Sequence, residues 1–335
     1  MDFASIIAPK DVPGAALALL HKDKSAIYPV GTPDKSDPGA RVQSDTLFQI
    51  GSVTKVFTAL LTAGLVVKNV LQLKVTVGEL LPGERMDPSI SGITLLQLLT
   101  HTSGLPRLPE NFIKYYSRKD NPYMYYGEPE LLEYLGEAKV KVGCKVMAYS
   151  NLGYGLLGYL LGKVTRIPFA QLLKEKLCGP LGMGATRIYS ADAVSGGSTD
   201  PVSNGYADSV SKGYTEAGEE TPMWDMNVLS GAGGLVSTPE DLLVFLKAIV
   251  SGNSILEEPI RKSLESLNKS MAWGWFMKDG ILQLLSGTDT LWHNGMTGGF
   301  SCYMEVSRQE QRGIAVVFNK ATFADFVGSA MEGKY

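Results

Sequence analysis

The sequence predicts an α/β chain of the α+β kind: a central antiparallel sheet built from both termini, flanked by helices, with a mainly helical region inserted. Two short apolar runs, Gly14 to His21 and Ala26 to Val30, open the chain across the polar break Lys22-Asp23-Lys24, which reads as a hairpin. Strand-like runs return only near the other end, at Trp273 to Met277, Ile281 to Leu285, Gly299 to Val306 and Gly313 to Asn319. The stretch between is mostly helical. These observations divide the chain into a sheet-bearing unit over 1–75 and 235–335 and a mainly helical unit over 76–234.

Each element has a local reason. Thr46 to Ile50 is a short extended run ending at Gly51, and Ser52 opens a helical pattern through about Val67. Thr94 is placed to cap Leu95 to Leu99, and Ser150 to cap Leu152 to Thr165. Pro168 suits the first turn of a helix ending near Gly179. Thr238-Pro239-Glu240-Asp241 reads as a helix start with a variant capping box. Phe323 to Met331 closes the chain as a helix. Because Ala315 to Phe318 is apolar on both faces, helices are expected to cover the sheet.

Composition narrows the function. The 335 residues leave room for two domains or one large one. Hydrophobic residues at 44% exclude a disordered chain, and the net charge of −3 gives no reason to expect nucleic acid or an anionic membrane as partner. The longest apolar run, Val56 to Val67, falls short of the roughly 20 residues a transmembrane helix needs. Cys144, Cys178 and Cys302 lie far apart without metal or redox spacing, so no disulfide framework is expected. No basic stretch marks a signal peptide at Met1-Asp2-Phe3, which a mature form would also lack; the compartment stays open. Oligomeric state is not legible.

Three short segments carry chemistry. Ser52-Val53-Thr54-Lys55 begins a helix, and positions i and i+3 share a face, so the Lys55 amine can approach the Ser52 hydroxyl. A serine hydroxyl becomes a nucleophile when a neighbouring base takes its proton. Alone, this spacing is also that of an N-cap serine followed by an exposed lysine. In Tyr149-Ser150-Asn151, the phenol could relay protons and the amide could donate to a substrate carbonyl. In the Trp292 to Phe300 stretch, His293-Asn294-Gly295-Met296 precedes further glycines that would let a ligand approach strand backbone, as an oxyanion hole requires.

Together these segments resemble the serine β-lactamase and penicillin-binding-protein superfamily, in its class C β-lactamase, DD-peptidase and family VIII esterase branch. Ser52 to Lys55 matches S-x-x-K, Tyr149 to Asn151 matches Y-x-N, and His293 to Gly295 matches the H-x-G form of a motif that class C enzymes usually carry as K-T-G. Leu98 to Pro106, Pro180 to Met183 and Gly233 to Thr238 look similar too, and the likeness runs from about residue 12 to 320. The resemblance implies a β-lactamase/transpeptidase-like fold with the active site between the two units. It also implies Ser52 as the acylated nucleophile, Lys55 and Tyr149 as the proton-handling pair, and Asn151 as the group orienting the substrate. His293 and Gly295 would line the substrate site, and the N–H groups of Ser52 and Met296 would form the oxyanion hole. No metal or other cofactor is implied. Which of Lys55 and Tyr149 is the base stays open, because groups this close titrate as a pair.

Three functions are weighed. The first is an acyl-enzyme hydrolase of D-alanyl peptides or β-lactams, with weak β-lactam turnover. The second is the same chemistry on esters or as acyl transfer, and the third an idle binding scaffold, which the intact Ser52, Lys55 and Tyr149 disfavour. A histidine at 293, with an ordinary pKa near 6.5, predicts that affinity for carboxylate substrates rises below that pH. Fast deacylation needs an activated water, and Glu128, Glu130 and Glu133 are the acids of the helical middle that could supply one. Tyr115, Tyr116, Tyr123, Tyr125 and Tyr126, with Met223 and Trp224, are candidates to line the cleft, while His101 is expected to hold a loop. Gly153 to Gly158 fits G-x-G-x-x-G, but its acid, Glu175, falls in a helical segment, so close helix packing is the better reading. No G-x-S-x-G occurs.

Overall fold

The computed structural model describes residues 11–141, 146–191, 210–278 and 289–322. Strands β1 (Gly14–His21) and β2 (Lys24–Gly31) form the opening hairpin, with His21 opposite Lys24. The turn is therefore Lys22-Asp23 alone, and Lys22 takes the positive φ of 56° that a two-residue turn favours. Four more strands follow: β3 (Phe276–Met277), β4 (Leu291–Met296), β5 (Ser301–Ser307) and β6 (Arg312–Phe318). The sheet runs β2-β1-β6-β5-β4-β3, antiparallel throughout, with Leu17 of β1 opposite Val316 of β6. The two ends of the chain thus meet at the middle of the sheet, and β2, which carries Pro29, lies at its edge.

The expected run at Trp273 is a strand only over its last two residues, whereas β4 forms where strand propensity is weak. Its buried Leu291, His293 and Gly295 alternate with more exposed neighbours, so burial rather than composition makes it a strand. The expected strand at Ile281 to Leu285 and the helix at Phe323 to Met331 lie outside the described residues.

Period two splits β6 between two cores. Ala315 and Val317 join Ala16, Ala18 and Met304 in the main core, while Ile314, Val316 and Phe318 join Ala15, Leu17 and Tyr303 on the opposite face. Helices α1 (Thr54–Val67) and α3 (Pro239–Ser251) belong to the main core, where Phe57 and Phe245 stack with centroids 4.3 Å apart. Replacing either ring by alanine costs about 3–5 kcal/mol.

The caps form at the expected serines and threonines. Thr94 makes a full capping box with Gln97, and Ser150 accepts from Gly153 N at 2.9 Å to start α2 (Asn151–Thr165). Thr238 accepts from Asp241 N at 3.1 Å, but the Asp241 carboxylate turns away to take the N–H groups of Ala185 and Thr186. The helical segment after Pro168 continues through Leu181, beyond Gly179. The glycines at 153–158 lie inside α2, where Cβ atoms on Gly155 and Gly158 would crowd Leu229 and Gly231, so they serve packing. Cys178 and Cys302 are buried free thiols, and Cys144 lies outside the described residues. Among the described residues no helix is long and apolar enough to cross a membrane.

Candidate active site

A 3₁₀ turn over Gly51–Val53 leads into α1, so Ser52 precedes the helix and Lys55 is its second residue. Thr54 and Thr58 hook this end to a neighbouring segment: Thr54 Oγ1 accepts from Leu235 N at 3.1 Å, and Thr58 Oγ1 donates to Gly231 O at 2.7 Å. That brings the Ala232 carbonyl to Lys55. The Lys55 ammonium is wholly buried, with Nζ 2.6 Å from Ala232 O, 3.0 Å from Asn151 Oδ1 and 3.1 Å from Ser52 Oγ. Burial, with Arg107 as a second positive charge, holds its pKa well below the usual lysine range. As an amine it can keep two donors on Ala232 and Asn151 and turn its lone pair to the Ser52 hydroxyl; as an ammonium it satisfies all three.

Tyr149 stands beside this pair. Its ring centroid is 4.8 Å from Lys55 Nζ, 5.4 Å from the Arg107 guanidinium carbon and 4.5 Å from the His101 ring. Burial pushes the phenol up to about 12, against the pull of a hydrogen bond with Ser52 and the charge on Arg107. Ser150 N donates to His101 Nδ1 at 3.1 Å, and Ala148 N donates to His101 O at 2.8 Å. His101 therefore holds the residues on both sides of Tyr149. Burial first, then the Lys55 charge, takes its own pKa down to about 2. Asn151, in the first turn of α2, gives its side-chain oxygen to Lys55, and its Nδ2 lies 3.5 Å from Tyr123 Oη.

The third wall is the end of β4. Gly51 has φ +50°, and a Cβ there would lie 2.7 Å from Met296 N; a Cβ on Gly295 would collide with the Ile50 carbonyl and lie 2.8 Å from Ser52 N. The two glycines let these backbones touch. Thr297 N donates to Phe300 O at 2.9 Å, so the Met296–Ser301 pair one step back is non-hydrogen-bonded. Met296 N–H thus points out of the ladder, and among the described residues β3 pairs with β4 at Leu291 and Trp292, short of Met296. The backbone at Ser52 therefore lies directly against the end of β4 at Gly295 and Met296.

His293 departs from expectation. It is 1% exposed, its Nδ1 lies 2.5 Å from Asn294 O, and its Nε2 has no hydrogen-bond partner among the described residues. Burial first, then the Lys55 charge, lowers its pKa to about 3. A carboxylate affinity rising below pH 6.5 through this residue is corrected: the imidazole stays neutral there because water cannot reach it.

Of the tyrosines, Tyr123 reaches the site, its ring 5.3 Å from Trp224. Tyr126 is buried in the core on Asn111, Tyr115 donates to Glu133, and Tyr116 and Tyr125 are exposed. Met223 is buried. None of the three acids attends Ser52: Glu128 binds Tyr159 and Lys163, Glu130 caps Gly127, and Glu133 pairs with Lys114. Sequence reasoning missed Arg107, which directly follows the Leu98 to Pro106 stretch, and the Ala232 carbonyl, which no side-chain motif can reveal.

The family profile of beta-lactamases matches residues 3–331. The chain belongs to the beta-lactamase family. A beta-lactamase of Providencia stuartii is 30% identical over 184 residues, a match covering 55% of this chain and 44% of that protein. The D-alanyl-D-alanine-carboxypeptidase/endopeptidase AmpH of Escherichia coli (strain K12) is 25% identical, with 93% of this chain and 81% of that protein covered. The crystal structure of the D-alanine carboxypeptidase AmpC from Burkholderia cenocepacia superposes with a TM-score of 0.78 at 23% identity, over 97% of this chain and 94% of the other. The fold is therefore the β-lactamase/transpeptidase-like one, and this member of the family is a serine hydrolase.

Proposed function

We propose that the protein is a D-alanyl-D-alanine carboxypeptidase-like acyl-enzyme hydrolase with slow β-lactam turnover, working in a cleft between the sheet-bearing unit (1–75 and 235–335) and the helical unit (76–234). The observation that carries this is the buried Lys55 amine held between Ser52 Oγ, Asn151 Oδ1 and Ala232 O. Ser52 Oγ attacks the substrate carbonyl while its proton passes to the Lys55 amine, and the resulting oxyanion rests on the N–H groups of Ser52 and Met296. A phenol raised by burial keeps its proton at neutral pH, so Tyr149 supplies it to the departing nitrogen and is reprotonated through Lys55. Water then attacks the Ser52 ester and releases the acid. Asn151 and Gly295 line the substrate site, and His293 packs on Phe276 and Tyr149 with its imidazole closed to solvent. With Glu128, Glu130 and Glu133 all engaged elsewhere, none of these three activates that water, which favours slow deacylation of a bulky penicilloyl group. The names of the carboxypeptidase relatives support the same substrate class.

Intact-protein mass spectrometry after incubation with a fluorescent penicillin, and separately with p-nitrophenyl acetate, tests this. A lasting penicillin adduct on Ser52 is expected. Fast turnover of the ester without a penicillin adduct moves the protein to the esterases, and no adduct from either makes it an idle scaffold.

A further inference from the structure

We propose that Arg107, rather than β4, supplies the cation that takes a carboxylate on the substrate's leaving group. This rests on the acyl-enzyme reading above. A leaving group protonated by Tyr149 must lie against that ring, and the Arg107 guanidinium carbon is 5.4 Å from its centroid. Arg107 is held there by its main chain: its carbonyl accepts the N–H groups of Asn151 and Leu152 at 3.0 and 3.1 Å, at the start of α2 and two residues beyond Tyr149. Its side chain is exposed, and among the described residues no carboxylate pairs with it. The other basic group at the site, Lys55, is wholly buried with its Nζ committed to Ser52, Asn151 and Ala232. His293, on the strand that would otherwise hold the cation, is buried with Nδ1 on a backbone carbonyl. A guanidinium presents a planar fork that matches a carboxylate in two hydrogen bonds, which a neutral imidazole cannot do.

The test compares two aryl esters with the same acyl group, one whose phenol leaving group carries a carboxylate and one carrying a carboxamide. In Arg107→Ala the ratio of kcat/KM, carboxylate over carboxamide, should fall about tenfold, the scale of one charge-assisted hydrogen bond. The fall should lie mainly in KM, and Arg107→Lys should recover part of it. Added salt should lower the ratio in the unaltered protein. A ratio unchanged in both variants, or two substrates losing activity in step, overturns the proposal and leaves Arg107 only its main-chain role. If the unaltered protein neither turns over nor forms a Ser52 adduct with either ester, the acyl-enzyme reading is overturned and this proposal with it, whereas turnover or an adduct with an unchanged ratio overturns this proposal alone.

Discussion

Two cations attend the Tyr149 ring, and they live in opposite environments. Lys55 sits on the first turn of α1 with no exposed surface, tied to three oxygens from three parts of the chain. Arg107 sits on a loop at the mouth, open to solvent, with its backbone carbonyl tied to Asn151 and Leu152 and its guanidinium over the Tyr149 ring. Burial depresses the first toward a neutral amine fit to accept a proton. Exposure leaves the second's planar guanidinium fork open to an anion. The same charge type thus acquires two tasks from its surroundings. Exchange of roles is ruled out by chemistry as well as by place, since a guanidinium cannot give up its proton at neutral pH.

The largest effect expected from breaking this contrast is at the buried partner. Lys55→Ala should lower the rate of Ser52 acylation by about 10²–10⁴-fold, the usual reach of a positioned base, as followed by adduct accumulation over time. A loss below tenfold would remove Lys55 from the proposed chemistry. A smaller effect links the two cations. Arg107 is the second cause of the low Lys55 pKa, so Arg107→Ala should raise that value and carry the acid limb of kcat/KM for a neutral ester to higher pH. A limb that stays put, or moves to lower pH, would show that the two charges do not sense each other.

The smallest effect is on stability. His101 and His293 are held near 2 and 3 in the folded chain, against about 6.5 when unfolded. Between these limits the unfolded state binds more protons, so stability is full above about pH 6.5 and declines as pH falls toward 3. Thermal melts should show Tm dropping over that range, with a shallower slope in His101→Asn. An NMR titration in which either imidazole protonates near pH 6 would contradict the assignment for that histidine.

Much of this was legible in the chain. The Ser52–Lys55 pair depends on a helical spacing of three, which any local reading recovers, and Ser150 announces the start of α2 by its own side chain. The hairpin and the central strands follow from apolar runs and their turns. By contrast, the neutrality of His293 could not be read. Its side chain is ordinary; what silences it is packing against Phe276, with ring centroids 5.0 Å apart, and the nearby Lys55 charge. The expectation drawn from its free pKa failed for that reason. Strand β4 was obscure too, because histidine, asparagine and glycine hide a strand that its neighbours impose.

Sequence alone determined the family, the order of the elements and the candidate side chains at Ser52, Lys55 and Tyr149, because spacing and capping act over a few bonds. Only the tertiary structure decided which of those groups carry charge, that the Ala232 carbonyl and two glycine contacts complete the site, and that Arg107 stands at its mouth. Solvation and backbone proximity arise between segments far apart in the chain, 96 residues for Lys55 and Asn151 and 177 for Lys55 and Ala232, and no local pattern encodes them.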